Sequence, residues 1–447
     1  MRMPRDDSHD SLSVFLHGEK VGEVRRPVRD ADFYGAGGAP MRITQDVPTP
    51  LSLSLRGSTP DPYSVLNWMD GLLPDDPTVR GWWANQYEVP ATSFSLLATE
   101  IGYDCAGAVQ FAVSDHEDEL MARPSGTTAL DEAALAERLR HIQRMGRSGR
   151  GAEAHGLRFP QRSLGGWQPK IGMCRETDVW HEPYGNTPST HIIKLPPRDY
   201  PGDCVIEVIC QGAAHHLGLP AARCAVLHVE DMEAIVYLRF DRELTIEGDI
   251  RRVHYEDGVQ ALGQPPGRKY QSFSGPTPAR IIQLLREHAP LAEREVEAFV
   301  DALVFNHLIG GIDAHAKNFG VRLEGGFVAL APLYDTSSSL PWAEGSDRDA
   351  ADALRPAMWP CGTGRGARVQ PSLRDLDEPE PWRLFAEANQ LDARRLLSRM
   401  HEMADGLVDA FGASVESLPV ACQESWEVQS LMRRIRGRAL VGASVGA

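Results

Sequence analysis

Three polar residues near position 320 have the types and spacing that phosphoryl transfer requires. Asp313 and Asn318 lie five residues apart in the sequence GIDAHAKNFG (311–320), and Asp335 follows one short predicted hairpin later. With this spacing, the aspartate can accept the proton of an attacking hydroxyl and the asparagine can hold a magnesium ion. Asp335 stands where a second metal-binding carboxylate belongs. The expected chemistry is therefore the positioning of a hydroxyl and the neutralisation of charge on phosphate oxygens.

A glycine pair upstream could hold those phosphates. Gly165 and Gly166 lie in the sequence SLGGWQPK (163–170), just before the apolar residues 171–174. Glycines let the backbone approach an anion closely, and successive amides there can surround phosphate oxygens. Because a glycine pair more often forms only a hairpin turn, its neighbours must support this interpretation.

Lys194 gives such support, since it lies in the otherwise apolar sequence THIIKLP (190–196). A buried lysine needs a partner, and Glu207, near the start of an amphipathic helix, is the candidate. A strand lysine paired with a helix glutamate positions ATP phosphates in kinases. The alternative is an edge-strand lysine that faces solvent.

A hinge for an adenine ring is expected where the second strand of a predicted hairpin ends, at Leu238, Arg239 and Phe240. Backbone groups there could pair with an adenine edge. From the sequence alone, this segment cannot be distinguished from the end of any other β-hairpin.

Composition restricts the class of protein. The chain has 447 residues, too many for one ordinary domain, and a net charge of −16, which argues against a dedicated nucleic-acid binder. Any DNA contact is expected to come through a partner. The seven cysteines form no CxxC pair and no zinc-type spacing with histidine, so reduced thiols in a cytoplasm are predicted. We find neither a signal peptide nor an apolar run of the roughly 20 residues needed to span a membrane.

Periodicity and turn residues predict the elements that position these side chains. Residues 13–24 should form two strands around a His-Gly-Glu turn, and the alternating leucines of 50–55 predict a half-buried strand. Further strands are predicted at 190–196, 225–229, 234–241, 319–323 and 327–330. Helices are predicted at 63–73, 93–101, 131–145, 206–217, 278–287, 293–309, 381–411 and 420–438.

Other segments are predicted to be irregular or exposed. Residues 115–126 are typical of a linker, 146–156 of a flexible loop, and 248–278 of a long loop over the cleft. The glycine string at 361–367 lacks a preceding strand, so we do not interpret it as a nucleotide-binding turn. The arginine run at 433–438 is expected to be a solvated helix end, with a partner or DNA-backbone contact as the alternative.

Together with residues 50–55, 71–74, 100–102 and 239–242, the motifs above resemble, in order, the HipA serine/threonine kinases. These are toxins of bacterial toxin–antitoxin modules, and the resemblance covers nearly the whole chain. It implies an α+β, protein-kinase-like two-lobed fold with an extra small N-terminal α+β domain and an all-helical C-terminal lobe. The implied domains are residues 10–115, a nucleotide-binding lobe at 131–245, and a lobe carrying the catalytic and metal-binding loops at 246–440.

The resemblance also implies roles for individual residues. Asp313 would be the catalytic base, Asn318 and Asp335 would hold Mg²⁺, Glu207 would support the strand lysine, and Ser163 would be autophosphorylated. The implied ATP-binding residues are Gly165, Gly166, Trp167, Gln168, Pro169, Lys170, Lys194, Leu238, Arg239, Phe240, His315, Ala316, Lys317, Asn318, Tyr334 and Asp335.

The implied partners are a HipB-like helix-turn-helix antitoxin, which would make the DNA contact, and an aminoacyl-tRNA synthetase as substrate, first of all glutamyl-tRNA synthetase. A cytoplasmic location without a membrane partner is expected. Two alternatives stay open. One is a catalytically weak nucleotide-binding partner of the antitoxin, acting in operon co-repression, and the other is a small-molecule or lipid kinase.

Overall fold

The computed structural model describes most of the chain, in the residue ranges 10–26, 41–44, 48–114, 124–145, 163–197, 199–361 and 369–446. The predicted flexible loop at 146–156 lies outside these ranges, as does most of the predicted linker at 115–126 and of the glycine string at 361–367. Helices and sheets both occur throughout the described part, so the α+β class is confirmed. None of its helices combines the length and apolar character needed to cross a membrane.

The first unit contains an antiparallel sheet of four strands, β1 (Ser11–Leu16), β2 (Glu19–Arg25), β3 (Met41–Ile43) and β4 (Val109–Val113), in the order β3-β2-β1-β4. The predicted first hairpin is confirmed. Its turn residues His17 and Gly18 have φ angles of 53° and 82°, the positive values that a tight hairpin turn favours. Trp68 and Phe111 lie in a core shared by the sheet and the helices α1 (Pro62–Gly71), α2 (Pro77–Tyr87) and α3 (Ser93–Leu97).

The strand predicted at 50–55 does not form, so this prediction is wrong. Its leucines are buried as expected, but Ser52 is buried as well. The buried carboxyl group of Glu256 accepts hydrogen bonds from the Leu53 amide (2.8 Å) and the Ser52 hydroxyl (2.6 Å). A side chain distant in sequence therefore satisfies polar groups that would otherwise need a neighbouring strand.

A six-stranded antiparallel sheet forms the second unit. Its strands are β5 (Gly126–Leu130), β6 (Lys170–Glu176), β7 (Val179–Tyr184), β8 (His191–Lys194), β9 (Cys224–Val229) and β10 (Met232–Leu238), in the order β5-β7-β6-β8-β10-β9. Two helices contact the sheet, α4 (Glu132–Met145) and α5 (Asp203–His216). The strands predicted around Lys194 and in the β9–β10 hairpin are confirmed.

Residues 248–278 are not simply a loop, which corrects the sequence-based prediction. The segment contains β12 (Ile250–Arg252), which forms a hairpin with the preceding β11 (Arg242–Leu244), and also β13 (His254–Asp257) and the short helix α6 (Gly258–Ala261). Strand β13 pairs with β14 (Gly320–Glu324), which in turn pairs with β15 (Phe327–Leu330). The partner of β13 lies about sixty residues later, so no local pattern reveals it.

The last part of the chain is mainly helical, and its three-stranded sheet includes the predicted β14–β15 hairpin. Its helices are α7 (Pro278–His288), α8 (Ala292–Ile309), α9 (Asp347–Ala353), α10 (Pro379–Ala388), α11 (Ala393–Glu416), α12 (Val420–Gln423) and α13 (Trp426–Gly446). Helices α11 and α13 pack side by side, and both contact α8, which leads into the loop of Asp313.

The arginine run in α13 is not a solvated helix end throughout, and that prediction is wrong for two of its residues. Arg434 and Arg438 are buried. Arg438 forms an ion pair with Asp377 (2.8 Å), and Arg434 forms one with Asp347 (3.1 Å). The basic residues therefore hold α13 to the preceding segments, because a buried guanidinium must be paired.

Candidate active site

A cleft of about 1540 Å³ lies where the glycine loop, β8, the end of β10 and the loops after α8 and β15 meet. All of the predicted site residues line it except Pro169, Ala316 and Ser163. Pro169 is close by, since its carbonyl accepts a hydrogen bond from the Leu195 amide at 3.1 Å. The structure thus brings together side chains that are separated by up to 170 residues in the sequence.

Lys194 lies at the centre of a buried charge cluster. Its Nζ donates to both carboxylate oxygens of Glu207 (2.9 and 2.8 Å) and to Asp335 Oδ1 (2.9 Å). Burial alone would lower the pKa of Lys194, but the carboxylates of Asp335 and Glu207 raise it above its usual value. Tyr237 donates a hydrogen bond to Glu207 and so orients its carboxylate. The predicted lysine–glutamate pair is present, and the alternative of a solvent-facing lysine is excluded.

Asp313 and Asn318 lie in the loop after α8. The helix ends at Gly310, whose φ of 64° allows the chain to turn sharply into the loop. The Asn318 side-chain amide donates to the carbonyls of Asp313 (3.2 Å) and Asp335 (3.4 Å), so it joins the two loops. The Asp313 side chain is exposed to the cleft and accepts a hydrogen bond from the hydroxyl of Tyr270 at 3.0 Å.

Asp335 reaches this position because the β14–β15 hairpin returns the chain to the cleft. Leu333 then forms backbone hydrogen bonds with Pro220 (2.8 Å) and Ala222 (2.7 Å), which fix the segment beside α5 and β9. Asp335 has a φ of 51°, uncommon for a residue with a side chain. Burial would raise its pKa, but the ammonium of Lys194, followed by that of Lys170, holds the pKa well below its usual range.

The glycine loop carries a second lysine into the cleft. Lys170 Nζ donates to the Gly165 carbonyl at 2.8 Å, and burial lowers the pKa of Lys170 while Asp335 opposes that shift. Gly166 has a φ of 102°, a backbone conformation that favours glycine, and a Cβ there would also displace the flexible end of the Lys170 side chain, which lies 2.6 Å away. Trp167 is exposed at the rim. Both predicted glycines therefore belong to a turn built around Lys170.

The predicted hinge residues differ in orientation. Leu238 is exposed and Phe240 packs edge-on against Tyr255 (5.1 Å between ring centroids). The Arg239 guanidinium is buried away from solvent in ion pairs with Asp241. The amides of Leu238 and Arg239 already donate to the carbonyls of Arg223 (2.9 Å) and Thr190 (3.0 Å). An adenine edge would therefore have to use other backbone groups of this segment.

Ser163 is fully buried at the start of the glycine loop. Its hydroxyl donates to the Leu72 carbonyl (2.5 Å) and its amide to the Asp104 carbonyl (3.2 Å), so both polar groups face the first unit. Unlike Gly165, Gly166, Trp167, Gln168 and Lys170, Ser163 does not line the cleft. It ties the loop to the first unit instead.

Two further predicted residues have partners that the sequence did not suggest. Lys317 Nζ pairs with Asp75 (2.7 Å), which also pairs with Lys269 (3.1 Å). The hydroxyl of Tyr334 donates to the Lys317 carbonyl. His315 is buried, which lowers its pKa to about 4, so the imidazole is neutral at pH 7. Asp75 was missed because 242 residues separate it from Lys317 and no local motif marks it.

Comparison with known families agrees with this arrangement. A family model described as HipA-like C-terminal domain matches residues 162–411, which contain the whole lysine, glycine-loop and Asp313 constellation. A second model, HipA N-terminal domain, matches residues 12–112. The chain belongs to the HipA family. The resemblance inferred from the sequence is thereby confirmed.

Among similar proteins, the putative kinase Y4mE of Sinorhizobium fredii is 29% identical over 435 residues, covering 96% of this chain and 97% of its own. The serine/threonine-protein kinase toxin HipA of Shewanella oneidensis is 31% identical over 193 residues, covering 40% of this chain and 43% of its own. The solved complex of HipA, HipB and operator DNA from Shewanella oneidensis MR-1 matches with a TM-score of 0.76 and 20% identity. That match covers 97% of this chain and 96% of the solved one, so the HipA fold is confirmed.

Proposed function

We propose that this protein is an ATP-dependent serine/threonine protein kinase. The observation that carries the proposal is the convergence, in one cleft, of Asp313, Asn318, Asp335 and the Lys194–Glu207 pair. A module that only bound nucleotide would have no need of a proton-accepting aspartate at the mouth of the cleft. The name of the Shewanella oneidensis relative, a serine/threonine-protein kinase toxin, supports the proposed kinase activity.

Each residue then has a role set by its surroundings. Lys194, held by Glu207, would contact ATP phosphates, and Lys170 with the amides of the glycine loop would surround them. Asp313 would accept the proton of the substrate hydroxyl, with Tyr270 orienting its carboxylate. These are the roles the reaction needs, because phosphoryl transfer is catalysed mostly by positioning and charge neutralisation.

The residues present also fit Mg²⁺. Asp335 is ionised, and its carboxylate and the Asn318 amide offer oxygen ligands, which this ion prefers. The Asn318 nitrogen is engaged by two carbonyls, which leaves its oxygen for a cation. Bound Mg²⁺ would supply neutralisation of the charge on the phosphate oxygens.

We further propose that the kinase is the toxin of a HipA/HipB-type module in the cytoplasm. The neighbouring solved complex contains HipB and operator DNA, and a HipB-like helix-turn-helix antitoxin would bind this chain in the same way. With a net charge of −16, the chain would reach DNA only through that antitoxin. The substrate would be an aminoacyl-tRNA synthetase, glutamyl-tRNA synthetase before others.

Autophosphorylation of Ser163 would switch the enzyme off. The buried serine has no room for a phosphate with nearly two negative charges, so the glycine loop would have to leave its place beside Leu72. A Ser163→Asp protein should therefore no longer bind ATP, and its rate of phosphate transfer should fall at least about tenfold. Ser163→Ala, which keeps the loop uncharged, is the control, and normal turnover by Ser163→Asp would contradict the switch.

The test of the kinase is transfer of labelled phosphate from Mg-ATP to the purified protein and to a cytoplasmic lysate. Wild type should label Ser163 and a band of synthetase size, and Asp313→Asn should label neither. Asp249→Asn, at an exposed aspartate in the β11–β12 turn, is the matched control and should behave as wild type.

Two other results would replace the proposal. ATP binding without transfer by wild type would select the catalytically weak nucleotide-binding partner that acts with an antitoxin in operon co-repression. Transfer to a sugar or lipid, with none to protein, would select the small-molecule or lipid kinase.

A further inference from the structure

A second cluster of reactive side chains lies far along the sequence from the kinase motifs. His228 on β9 and Glu233 on β10 are paired directly across the antiparallel hairpin, so their side chains share one face of the sheet. Cys422, on the short helix α12, approaches the same face. One ligand atom from each residue lies within 4.8 Å of the others, and Cys422 Sγ lies 3.7 Å from His228 Nε2.

We propose that His228, Glu233 and Cys422 bind a Zn²⁺ ion. Zinc takes imidazole nitrogen, thiolate sulfur and carboxylate oxygen in tetrahedral geometry, with Zn–N near ~2.0 Å and Zn–S near ~2.3 Å. Two such ligands at a tetrahedral angle stand about 3.6 Å apart, close to the 3.7 Å between Sγ and Nε2. Three protein ligands leave a fourth position for water.

The ligand set distinguishes this site from the magnesium site proposed in the cleft. Thiolate and imidazole suit zinc rather than Mg²⁺ or Ca²⁺, which prefer oxygen. None of the three residues lines the cleft. Glu427 adds a second carboxylate nearby: burial, followed by the charge of Glu427, raises the pKa of Glu233, with His228 opposing. A cation would relieve that repulsion.

The same group could be considered as a thiol–imidazole nucleophile, but its surroundings oppose that role. Burial raises the pKa of the Cys422 thiol, with the charge of Glu233 acting in the same direction. A nucleophilic cysteine needs the opposite shift. A bound metal ion instead favours the thiolate over the thiol, because a thiol that coordinates a metal loses its proton.

The site would connect two parts of the molecule. His228 lies on the edge strand β9 of the six-stranded sheet and Glu233 on its neighbour β10, whereas Cys422 belongs to the C-terminal helices. A metal held by both would cross-link the β9–β10 hairpin to α12 and restrict their separation. Zinc binding should therefore raise the unfolding temperature of the whole chain, since it binds the folded state only.

The experiment uses the untagged full-length protein, freed of metal with a chelator and then titrated with Zn²⁺ and, separately, with Co²⁺. We expect an Asp335→Asn protein, which lacks a ligand of the cleft site, still to bind one Zn²⁺ per chain, with an affinity that rises with pH as the thiol loses its proton. Bound Co²⁺ should show thiolate-to-metal charge-transfer absorption. The oxygen ligands of the cleft cannot produce that absorption, so the two sites are distinguished.

Cys422→Ser should abolish the charge-transfer absorption, and His228→Ala should weaken zinc binding by more than about tenfold. The matched controls are Cys361→Ser, at a partly buried cysteine elsewhere, and His216→Ala, at another exposed histidine, and both should bind as wild type. His228 is exposed, so its variant should fold even if Cys422→Ser does not. The proposal would be overturned if the wild type bound no zinc, or if Cys422→Ser and His228→Ala both bound it as tightly as the wild type.

Discussion

The Asp313 carboxylate is exposed at the cleft, and its contact with the Tyr270 hydroxyl restricts its orientation. In the proposed mechanism Tyr270 is a positioning residue, because it acts on the base rather than on the substrate. A hydrogen bond to a charged group is worth ~1.5–3 kcal/mol. Tyr270→Phe should therefore lower kcat roughly tenfold or more while leaving the KM for ATP nearly unchanged.

Steady-state kinetics of phosphate transfer would measure that effect. Phe273→Leu is the matched control, since Phe273 is an exposed aromatic three residues away that also borders the cleft. Equal kcat values for wild type and Tyr270→Phe would show that Asp313 needs no such positioning.

Glu256 is a buried carboxyl group whose effect on stability depends on pH. Burial raises its pKa to about 8, from 4.5, although the Leu53 amide and the Ser52 hydroxyl oppose the shift. Because the folded-state pKa is raised, the stability contributed by Glu256 is full below pH 4.5 and is lost as pH rises through 8. At ~1.4 kcal/mol per pKa unit, the loss amounts to roughly 3–5 kcal/mol.

Glu256→Gln removes the titrating group but keeps an oxygen that can accept from the Leu53 amide. We expect the variant to be more stable than wild type at pH 9, with the advantage shrinking towards pH 5. Urea unfolding across this range is the measurement. Parallel pH profiles for the two proteins would contradict the assignment of a raised pKa.

At the scale of elements, a buried ion cluster joins the first unit to the end of β10. Asp104 lies after the 3₁₀ turn that follows α3 and pairs with Arg242 (2.8 Å), while Asp241 pairs with Arg239 (2.7 Å) and accepts the Gly107 amide (2.7 Å). All four side chains are buried. The segment that would form the hinge is thus held by charges that it shares with the N-terminal unit.

Asp104→Asn should remove one of the two buried carboxylates that pair with Arg242, the other being Asp241 at 3.1 Å, and lower the free energy of unfolding by ~3–5 kcal/mol. The matched control is Asp352→Asn, which breaks the exposed pair with Arg374 and should cost about 1 kcal/mol or less. Chemical denaturation would compare them. A cost for Asp104→Asn no larger than that of the control would mean that the cluster does not hold the two units together.

Elements with strong local signals could be predicted from the sequence, whereas those that depend on distant partners could not. The turn at His17 and Gly18 and the end of α8 at Gly310 have local causes. Helix α2 has such a signal as well, because the Asp76 side chain caps the helix and Pro77 occupies its first turn. The helix was nevertheless not predicted from the sequence. The strand predicted at 50–55 does not form because Glu256 binds the polar groups of Ser52 and Leu53. No pattern within the segment indicates that contact.

The same distinction applies to the candidate site. Asp313, Asn318, Asp335 and Lys194 were found because their spacing reflects the chemistry they are expected to perform. The zinc ligands were not, since His228 and Cys422 are 194 residues apart and share no motif. Only the fold places them side by side.

At the scale of the whole molecule, the three units meet at Asp75. This residue follows α1 in the first unit, yet it pairs with Lys317 in the Asp313 loop and with Lys269 in the segment that carries Tyr270. The amide of Asp75 also donates to the Gly166 carbonyl at 3.0 Å. One aspartate therefore links the first unit to the glycine loop and to both segments beside the proposed base.

Asp75→Asn should uncouple these units. Burial would raise the pKa of Asp75, but Lys317 and Lys269 hold it below its usual 3.8, so its stabilisation is present at neutral pH and is lost as pH falls through that lowered value. At pH 7 the variant should lose ~2–4 kcal/mol of unfolding free energy, because the buried Lys317 loses a counter-charge, and the difference should vanish in acid.

Asp76→Asn is a close control, because asparagine caps a helix as well as aspartate does and the neighbouring site keeps its charges. In the proposed kinase, Asp75→Asn should also slow phosphate transfer more than Asp76→Asn, since the glycine loop and the Asp313 loop lose a shared support. Denaturation at pH 7 and pH 3, with transfer rates at pH 7, would measure both effects. A variant that loses stability but transfers phosphate normally would show that the first unit supports the fold without positioning the site.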